Sequence, residues 1–304
     1  MRRYSGGKGF ELFDLAVYVV CGALALFALY PMWFVFIMSI SEPSETLRGN
    51  FYWWPKGFYL GNYIVILQDG DMWKSAWNSV IYVVSGTFLM LITSVLVAYP
   101  LIRPTLMFRK ALVIYLLIPM YFGGGLIPYF LLIQKLGIYN TPWALILPGY
   151  GIWNIILMRT YFKSLPNDLA ESAFIDGANN FTVLLRIYMP LSKPALAVVA
   201  IYTIVGIWNS WFGAMVYVPN KNWQPLQMYL KRVLIESSVN LAAMGNSTTG
   251  FLDPETAAAL SKKAMNARQL KYTMIMVCSI PVIAVYPMFQ KHFVKGVMLG
   301  SLKG

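Results

Sequence analysis

Six apolar runs, each long enough or nearly long enough to cross a bilayer, narrow what this chain can fold into more than any other feature. They are Leu12–Ile40, Trp77–Tyr99, Ala111–Ile133, Trp143–Met158, Ala195–Val218 and Tyr272–Phe289. A helix needs about 20 predominantly apolar residues to span hydrocarbon. The backbone finds no water there, so the runs predict helices that satisfy their own N–H and C=O groups. The expected fold class is all-α: a polytopic membrane protein with six transmembrane helices, read as a single domain over 1–304 with its core at 75–295. Hydrophobic residues make up 58% of the chain and charged ones 12%, where a soluble domain carries about 45–50% and about 25%.

Arg2, Arg3 and Lys8 precede the first run, which is too long for the core of a signal peptide and has no clear small-residue cleavage site. It reads as a retained anchor. With six spans both termini share a side, and the basic N-terminus (1–11) assigns that side to the cytoplasm. The connector with Arg103, Arg109 and Lys110, the 159–194 connector and the tail with Lys291, Lys295 and Lys303 then lie on the same side. These regions hold 13 of the 24 Lys and Arg; seven of the other 11 sit in one outer loop, 219–271, close to the length at which loops escape the rule. The net charge of +12 is spread over both faces without a basic stripe, which does not point to nucleic acid.

The spans lack the groups that ion-coupled transport needs. Ionisable residues inside a membrane are costly and carry coupling ions; here only Asp14 qualifies, at the edge of the first span. Proton or sodium coupling and intramembrane hydrolysis lose their usual machinery. Cys21 and Cys278 fall inside spans, where a thiol behaves as a small apolar residue. His292, in "QKHFVKG", reads as a headgroup neighbour beside two lysines, and no metal-ligand cluster is found. "GGKGF" lacks the spacing and the hydroxyl of a phosphate loop, so any ATP is bound by another chain.

One segment between two runs, 164–190, is polar. In "SLPNDLAESAFID", Pro166 suits a helix's first turn with Ser164 as its cap, and Asp168 and Glu171 stand near the positive end of the dipole. Gly177 is a C-terminal stop. A second helix, "NFTVLLRIYM", starts after Asn179 and Asn180 and is expected to end before Pro190. A helix lying on lipid would carry Lys and Arg on its polar face. This one carries Asp168, Glu171 and Asp176, which favours docking into a partner's groove.

The spacing resembles the EAA motif of permease subunits in binding-protein-dependent ABC importers. It reads Glu171-Ser172-Ala173, then Gly177, then Ile187-Tyr188-Met189-Pro190, with Ser172 and Met189 as mild departures. The resemblance implies a permease fold in which Glu171, Ser172, Ala173, Asp176, Gly177, Ile187 and Pro190 form a coupling helix seated in an ATP-hydrolysing subunit. "GGGLIPYFLLIQKLGIYNTPWALILPG", "WNIILMRTYFKSLP", "IWNSWFGAMVYVPN", "WQPLQMYLKR" and "QKHFVKGVMLGSLKG" are similar to the carbohydrate-importer branch, over nearly all of 75–304. The resemblance is specifically to the permeases for complex polysaccharide fragments such as alginate or rhamnogalacturonan oligosaccharides. This implies a non-catalytic subunit of the bacterial cell membrane, a second homologous permease, two ATP-binding subunits holding ATP and Mg, and an extracytoplasmic solute-binding protein.

Saccharides are held by neutral hydrogen-bonding groups and aromatic faces, so their path needs no ionisable residue. Candidates are Tyr150, Trp153 and Asn154 in "GYGIWN" and Trp208, Asn209, Ser210 and Trp211 in "GIWNSWF". Aromatics at such positions are also interfacial belts or packing residues. Pro119, Gly123, Gly124, Gly125 and Pro128 break the third run, either to line a cavity or to allow close packing. In the outer loop, Lys221, Lys231, Arg232, Lys262, Lys263, Arg268 and Lys271 outnumber Glu236, Asp253 and Glu255. This suits steering of acidic saccharide, or docking on an acidic binding protein or headgroups. The alternative function is a non-transporting scaffold or channel whose polar loop recruits a cytoplasmic partner.

Overall fold

The structure is a computed structural model that describes residues 12–48, 53–147, 151–235, 266, 269–285 and 287–288. Tyr150, His292, Lys262, Lys263, Arg268, the N-terminal Arg2, Arg3 and Lys8, and the tail with Lys291, Lys295 and Lys303 lie outside them. Every regular element among the described residues is helical. The chain divides into two compact units, Met1–Gln68 with Val233–Val277 and Asp69–Arg232 with Cys278–Gly304.

The first unit holds α1 (Leu12–Ile40), α2 (Pro43–Arg48) and α3 (Gly61–Gln68). Most of α1 presents apolar side chains outward, Phe13 and Phe27 among them, as a helix facing lipid does. Only its end is buried, in a polar knot. Asn62 Nδ2 donates to Gln269 Oε1 at 3.0 Å, and the Gln269 amide donates to the Ser39 and Ser41 carbonyls. Buried amides need such partners, and here one side-chain bond and two backbone carbonyls supply them.

The second unit is built on α4 (Gly70–Ala98). Its faces are sorted in the sense opposite to a soluble helix: Ser75, Asn78, Ser79 and Tyr82 are buried, while Trp77, Val84, Phe88 and Leu96 are exposed. The buried four follow the i, i+3, i+4, i+7 rule of one helix stripe. A short 3₁₀ turn, Pro100–Ile102, follows. Then come α5 (Arg109–Tyr121), α6 (Leu126–Lys135), α7 (Trp143–Ile146), α8 (Ile152–Ser164), α9 (Asp168–Ile175), α10 (Asn180–Val183), α11 (Met189–Leu191), α12 (Lys193–Trp208) and α13 (Phe212–Tyr217). Two more helices run over 226–235 and Gln269–Val285.

Phe13–Ile40 and Gly70–Ile102 are each long and apolar enough to cross a membrane, and two bent pairs raise the number to four among the described residues. The expected third, fourth and fifth runs are not continuous helices. The third breaks between α5 and α6 with a bend of 114°. Gly125, at φ 84° and ψ 179°, adopts a conformation essentially reserved for glycine there. The fourth is divided into α7 and α8. The fifth stops at Trp208 and resumes at Phe212, with Asn209 and Ser210 between them, side chains that compete with helical backbone bonding.

Candidate functional site: a polar corner and a neutral cavity

The polar segment folds into a capped corner. Helix α9 starts at Asp168, so Pro166 stands just outside it; Ser164 ends α8, its hydroxyl donating to the Tyr161 carbonyl at 2.7 Å, and does not cap α9. Gly177, at φ 82°, supplies the left-handed turn. Its N–H donates to Phe174 O at 3.0 Å, and the Ala178 N–H donates to Ala173 O at 2.9 Å. That pair of bonds is a Schellman closure, which satisfies carbonyls otherwise orphaned at a helix end. Two residues later Asn179 Oδ1 accepts from the Thr182 N–H at 2.8 Å and starts the return helix.

That return helix does not stop before Pro190. It continues to Leu191, because a π turn over Leu184–Tyr188 precedes the proline. Met189 N bonds the Leu184 carbonyl across this turn. The wider loop shifts the hydrogen-bond register just where Pro190 has no N–H to give. The break comes at Ser192, where the chain bends by 77° into α12.

The inward side of the corner is apolar and the outward side is mixed. Ala170, Val183, Leu184 and Tyr188 join one core with Val95, Ala98 and Tyr99 of α4, Met158 and Phe162 of α8, and Ala195 and Val199 of α12. Glu171, Ser172, Asp176 and Pro190 are exposed, as are Leu169 and Ile175, the latter at 87%. Ala173 and Ile187 pack partly against the core. Arg103, beyond the end of α4, reaches over the corner: its guanidinium carbon lies 4.6 Å from the Phe174 ring centre and 4.8 Å from that of Tyr99.

A cavity of about 370 Å³ lies among α4, α7, α8, α12 and α13. Ser79, Tyr82, Asn154, Tyr202, Thr203, Ser210 and Tyr217 give it hydrogen-bonding groups, and Ala144, Gly206 and Gly213 give it room. No Asp, Glu, Lys, Arg or His is among its lining residues. Asn154 Nδ2 donates to Thr203 Oγ1 at 3.3 Å, and that hydroxyl donates to the Val199 carbonyl at 2.8 Å. Tyr82 donates to the Trp223 carbonyl at 2.6 Å, and Ser79 Oγ accepts from the Leu226 N–H at 2.7 Å. The size is within the range of small-molecule sites, as is an apolar wall carrying a few placed polar groups.

Of the residues proposed for a saccharide path, Asn154 and Ser210 line this cavity, and Tyr150 lies outside the described residues. Trp208 is buried and donates from Nε1 to the Cys278 carbonyl at 3.0 Å, a packing role. Trp153 meets Tyr202 edge-on at 5.4 Å between ring centres, one layer behind the lining. Trp211 is 41% exposed under Lys231, whose Nζ is 4.0 Å from its ring centre, and Asn209 caps α12. None of Pro119, Gly123, Gly124, Gly125 and Pro128 lines the cavity. Ser79, Tyr82 and Thr203 escaped the sequence reading. The signal was there for α4: a stripe of polar residues in an apolar span marks the side that faces protein.

Near the outer loop, the Tyr229 hydroxyl donates to Asp69, which also caps α4 by accepting from the Asp71 N–H at 2.8 Å. Burial, and then the Asp69 carboxylate, raise the Tyr229 hydroxyl above its ordinary range. Arg232 lies 3.8 Å from Asp71, so part of the basic surplus of that loop is paired.

Residues 55–299 match the family described as binding-protein-dependent transport system inner membrane component. The chain is 34% identical over 298 residues to Protein LplC of Bacillus subtilis (strain 168), covering 98% of this chain and 97% of that one. It is 35% identical over 295 residues to the polygalacturonan/rhamnogalacturonan transport system permease protein YtcP of the same organism, covering 97% and 99%. A crystal structure of a bacterial ABC transporter involved in the import of the acidic polysaccharide alginate contains a chain 33% identical to this one. The two superpose with a TM-score of 0.79 over 95% of this chain and 99% of that one. Because the family match takes in the corner and the cavity alike, and the relatives run alongside almost end to end, the chain belongs to the binding-protein-dependent transport system inner membrane components and has the ABC importer permease fold.

Proposed function

We propose that this chain is one of two homologous membrane-spanning subunits of an ATP-driven importer that moves oligosaccharides from an extracytoplasmic binding protein into the cytoplasm by alternating access. Two separate subunits bind ATP and Mg and hydrolyse the nucleotide; this chain performs no chemistry. Both termini and the 164–190 corner face the cytoplasm, and 219–271 faces the binding protein. The observation that carries the reading is that α4, α8 and α12 each contribute to the core behind the corner and also to the cavity wall. A displacement at the docked corner therefore acts on the same helices that shape the cavity. The exposed Glu171, Asp176, Leu169 and Ile175 suit a groove on the ATP-binding subunit, by charge and by apolar contact.

The names of YtcP and of the alginate importer support acidic oligosaccharides as cargo. The cavity lining holds no cation, so selection for acid belongs to the outer loop, where Lys221 is exposed and Lys231 lies over Trp211. The test is ATP hydrolysis by the reconstituted complex with its binding protein loaded with uronate oligosaccharides or with neutral ones of equal length. Stimulation by the acidic set alone is expected. Stimulation by neutral sugars as well removes the charge selection and keeps the importer, while no response to any ligand returns the scaffold reading.

A further inference from the structure

Arg103 is held by rings where an acid would ordinarily be found. Its Nη2 donates to the Tyr99 hydroxyl at 2.5 Å, and its guanidinium carbon lies within 5.9 Å of the Tyr188 ring centre in addition to the Phe174 and Tyr99 rings. Its Nε is buried with no hydrogen-bond partner, and no carboxylate pairs with it among the described residues. The Tyr99 hydroxyl passes the chain on, to Asn180 Oδ1 at 3.3 Å. The three residues that Arg103 contacts, and the Asn180 reached through Tyr99, come from three places: Tyr99 from the end of α4, Phe174 from α9, and Asn180 and Tyr188 from the return helix.

We propose that Arg103 is a positioning residue, a bracket that makes the end of α4 follow the docking corner when the ATP-binding subunits move. The proposal rests on the docking reading above. Apolar packing already holds the corner against the core, and such packing resists separation more than sliding. A planar guanidinium over the Phe174 ring and hydrogen-bonded to Tyr99 fixes direction as well as distance, which a lysine ammonium on a flexible stem does not. Through Ser79 and Tyr82, the same α4 forms part of the cavity wall. The bracket thus joins the partner-facing helix to a helix that shapes the cavity, and its loss separates ATP turnover from transport.

The experiment compares Arg103→Lys, Arg103→Ala and Tyr99→Phe in the full reconstituted complex. It reads assembly with the ATP-binding subunits, basal ATP hydrolysis, and the stimulation given by saccharide-loaded binding protein. Arg103→Lys and Tyr99→Phe are expected to assemble and hydrolyse ATP at the basal rate, with stimulation and uptake per ATP falling about tenfold, the size of the one charge-assisted hydrogen bond that both lose. Normal stimulation in all three overturns the bracket, and so does loss of assembly in all three, which makes Arg103 a structural residue only. A wild-type chain that fails to bind the ATP-binding subunits sinks the docking reading itself, an outcome separate from both.

Discussion

The corner and the cavity lean on the same three helices and are built on different principles. The corner depends on backbone geometry: a left-handed glycine, a Schellman closure, an asparagine cap and a π turn ahead of a proline. The cavity depends on side chains, a set of hydroxyls and amides with small residues leaving room between them. Under the proposed docking role, the corner needs one fixed shape, and backbone constraints supply it. Under the proposed role as a cargo path, the cavity needs many weak, uncharged contacts, and neutral side chains supply those. Substitutions at the two places are therefore expected to fail in different assays.

The largest effect is expected at Gly177. A β-carbon there meets nothing within 4 Å, so crowding is not the obstacle; the φ of 82° is. Gly177→Val puts a β-branched residue in the left-handed region at about 2 kcal/mol or more, and opens the turn. Co-purification of the ATP-binding subunits is expected to be lost, while Gly177→Asn, which tolerates that region, keeps most of it. Full assembly with valine breaks the claim that backbone geometry defines this surface.

Next comes the opposite test, at the cavity. Asn154→Leu keeps the branched heavy-atom shape and removes the amide that donates to Thr203. One lost buried hydrogen bond is worth about 1–1.5 kcal/mol, so uptake is expected to fall about tenfold with assembly and basal ATP hydrolysis unchanged. If assembly falls along with uptake, the two regions are not separable.

The corner was far more legible in the sequence than the cavity, for this same reason. Gly177 and Asn179 obey local rules about which residues tolerate which φ and ψ, and these operate over a few residues. The expectation failed where a longer context intervened. The π turn carried the helix past Pro190, and Ser164 was spent on closing α8. The cavity is assembled from residues as distant as Ser79 and Tyr217, so no window of sequence contains it. Tryptophans drew attention in "GIWNSWF", yet Trp208 turned inward to Cys278, while Thr203, one and a half turns earlier, met Asn154. The break at Gly125 was legible in its crowd of glycines and prolines, whereas the one after Trp208 was hard to see, because in hydropathy the apolar run continues through it.

A smaller effect is expected at Asn179, whose cap is replaceable by water. Asn179→Ala removes the acceptor for Thr182 N–H and costs about 1 kcal/mol. Affinity for the ATP-binding subunits is expected to drop about fivefold with maximal transport rate retained. A change larger than that of Gly177→Val reverses the ranking, and makes the return helix the element the partner reads.

The smallest effect, and the sharpest use of the comparison, comes from two alanines. At Gly86 the backbone is ordinary and space is short: a β-carbon lies 2.5 Å from Ile207 Cδ1, the end of a side chain that also lines the cavity. Because that methyl swings to another rotamer, Gly86→Ala costs less than about 1 kcal/mol and alters uptake by a few-fold at most. Gly177→Ala has the reverse problem, free space and a strained φ, and weakens assembly by about threefold. The double variant then asks whether α4 carries information between them. Effects that add leave the corner and the cavity as independent devices on shared helices. A combined loss of transport larger than the sum, vanishing when Arg103→Lys is added, shows the two regions coupled through α4 and the bracket at its end.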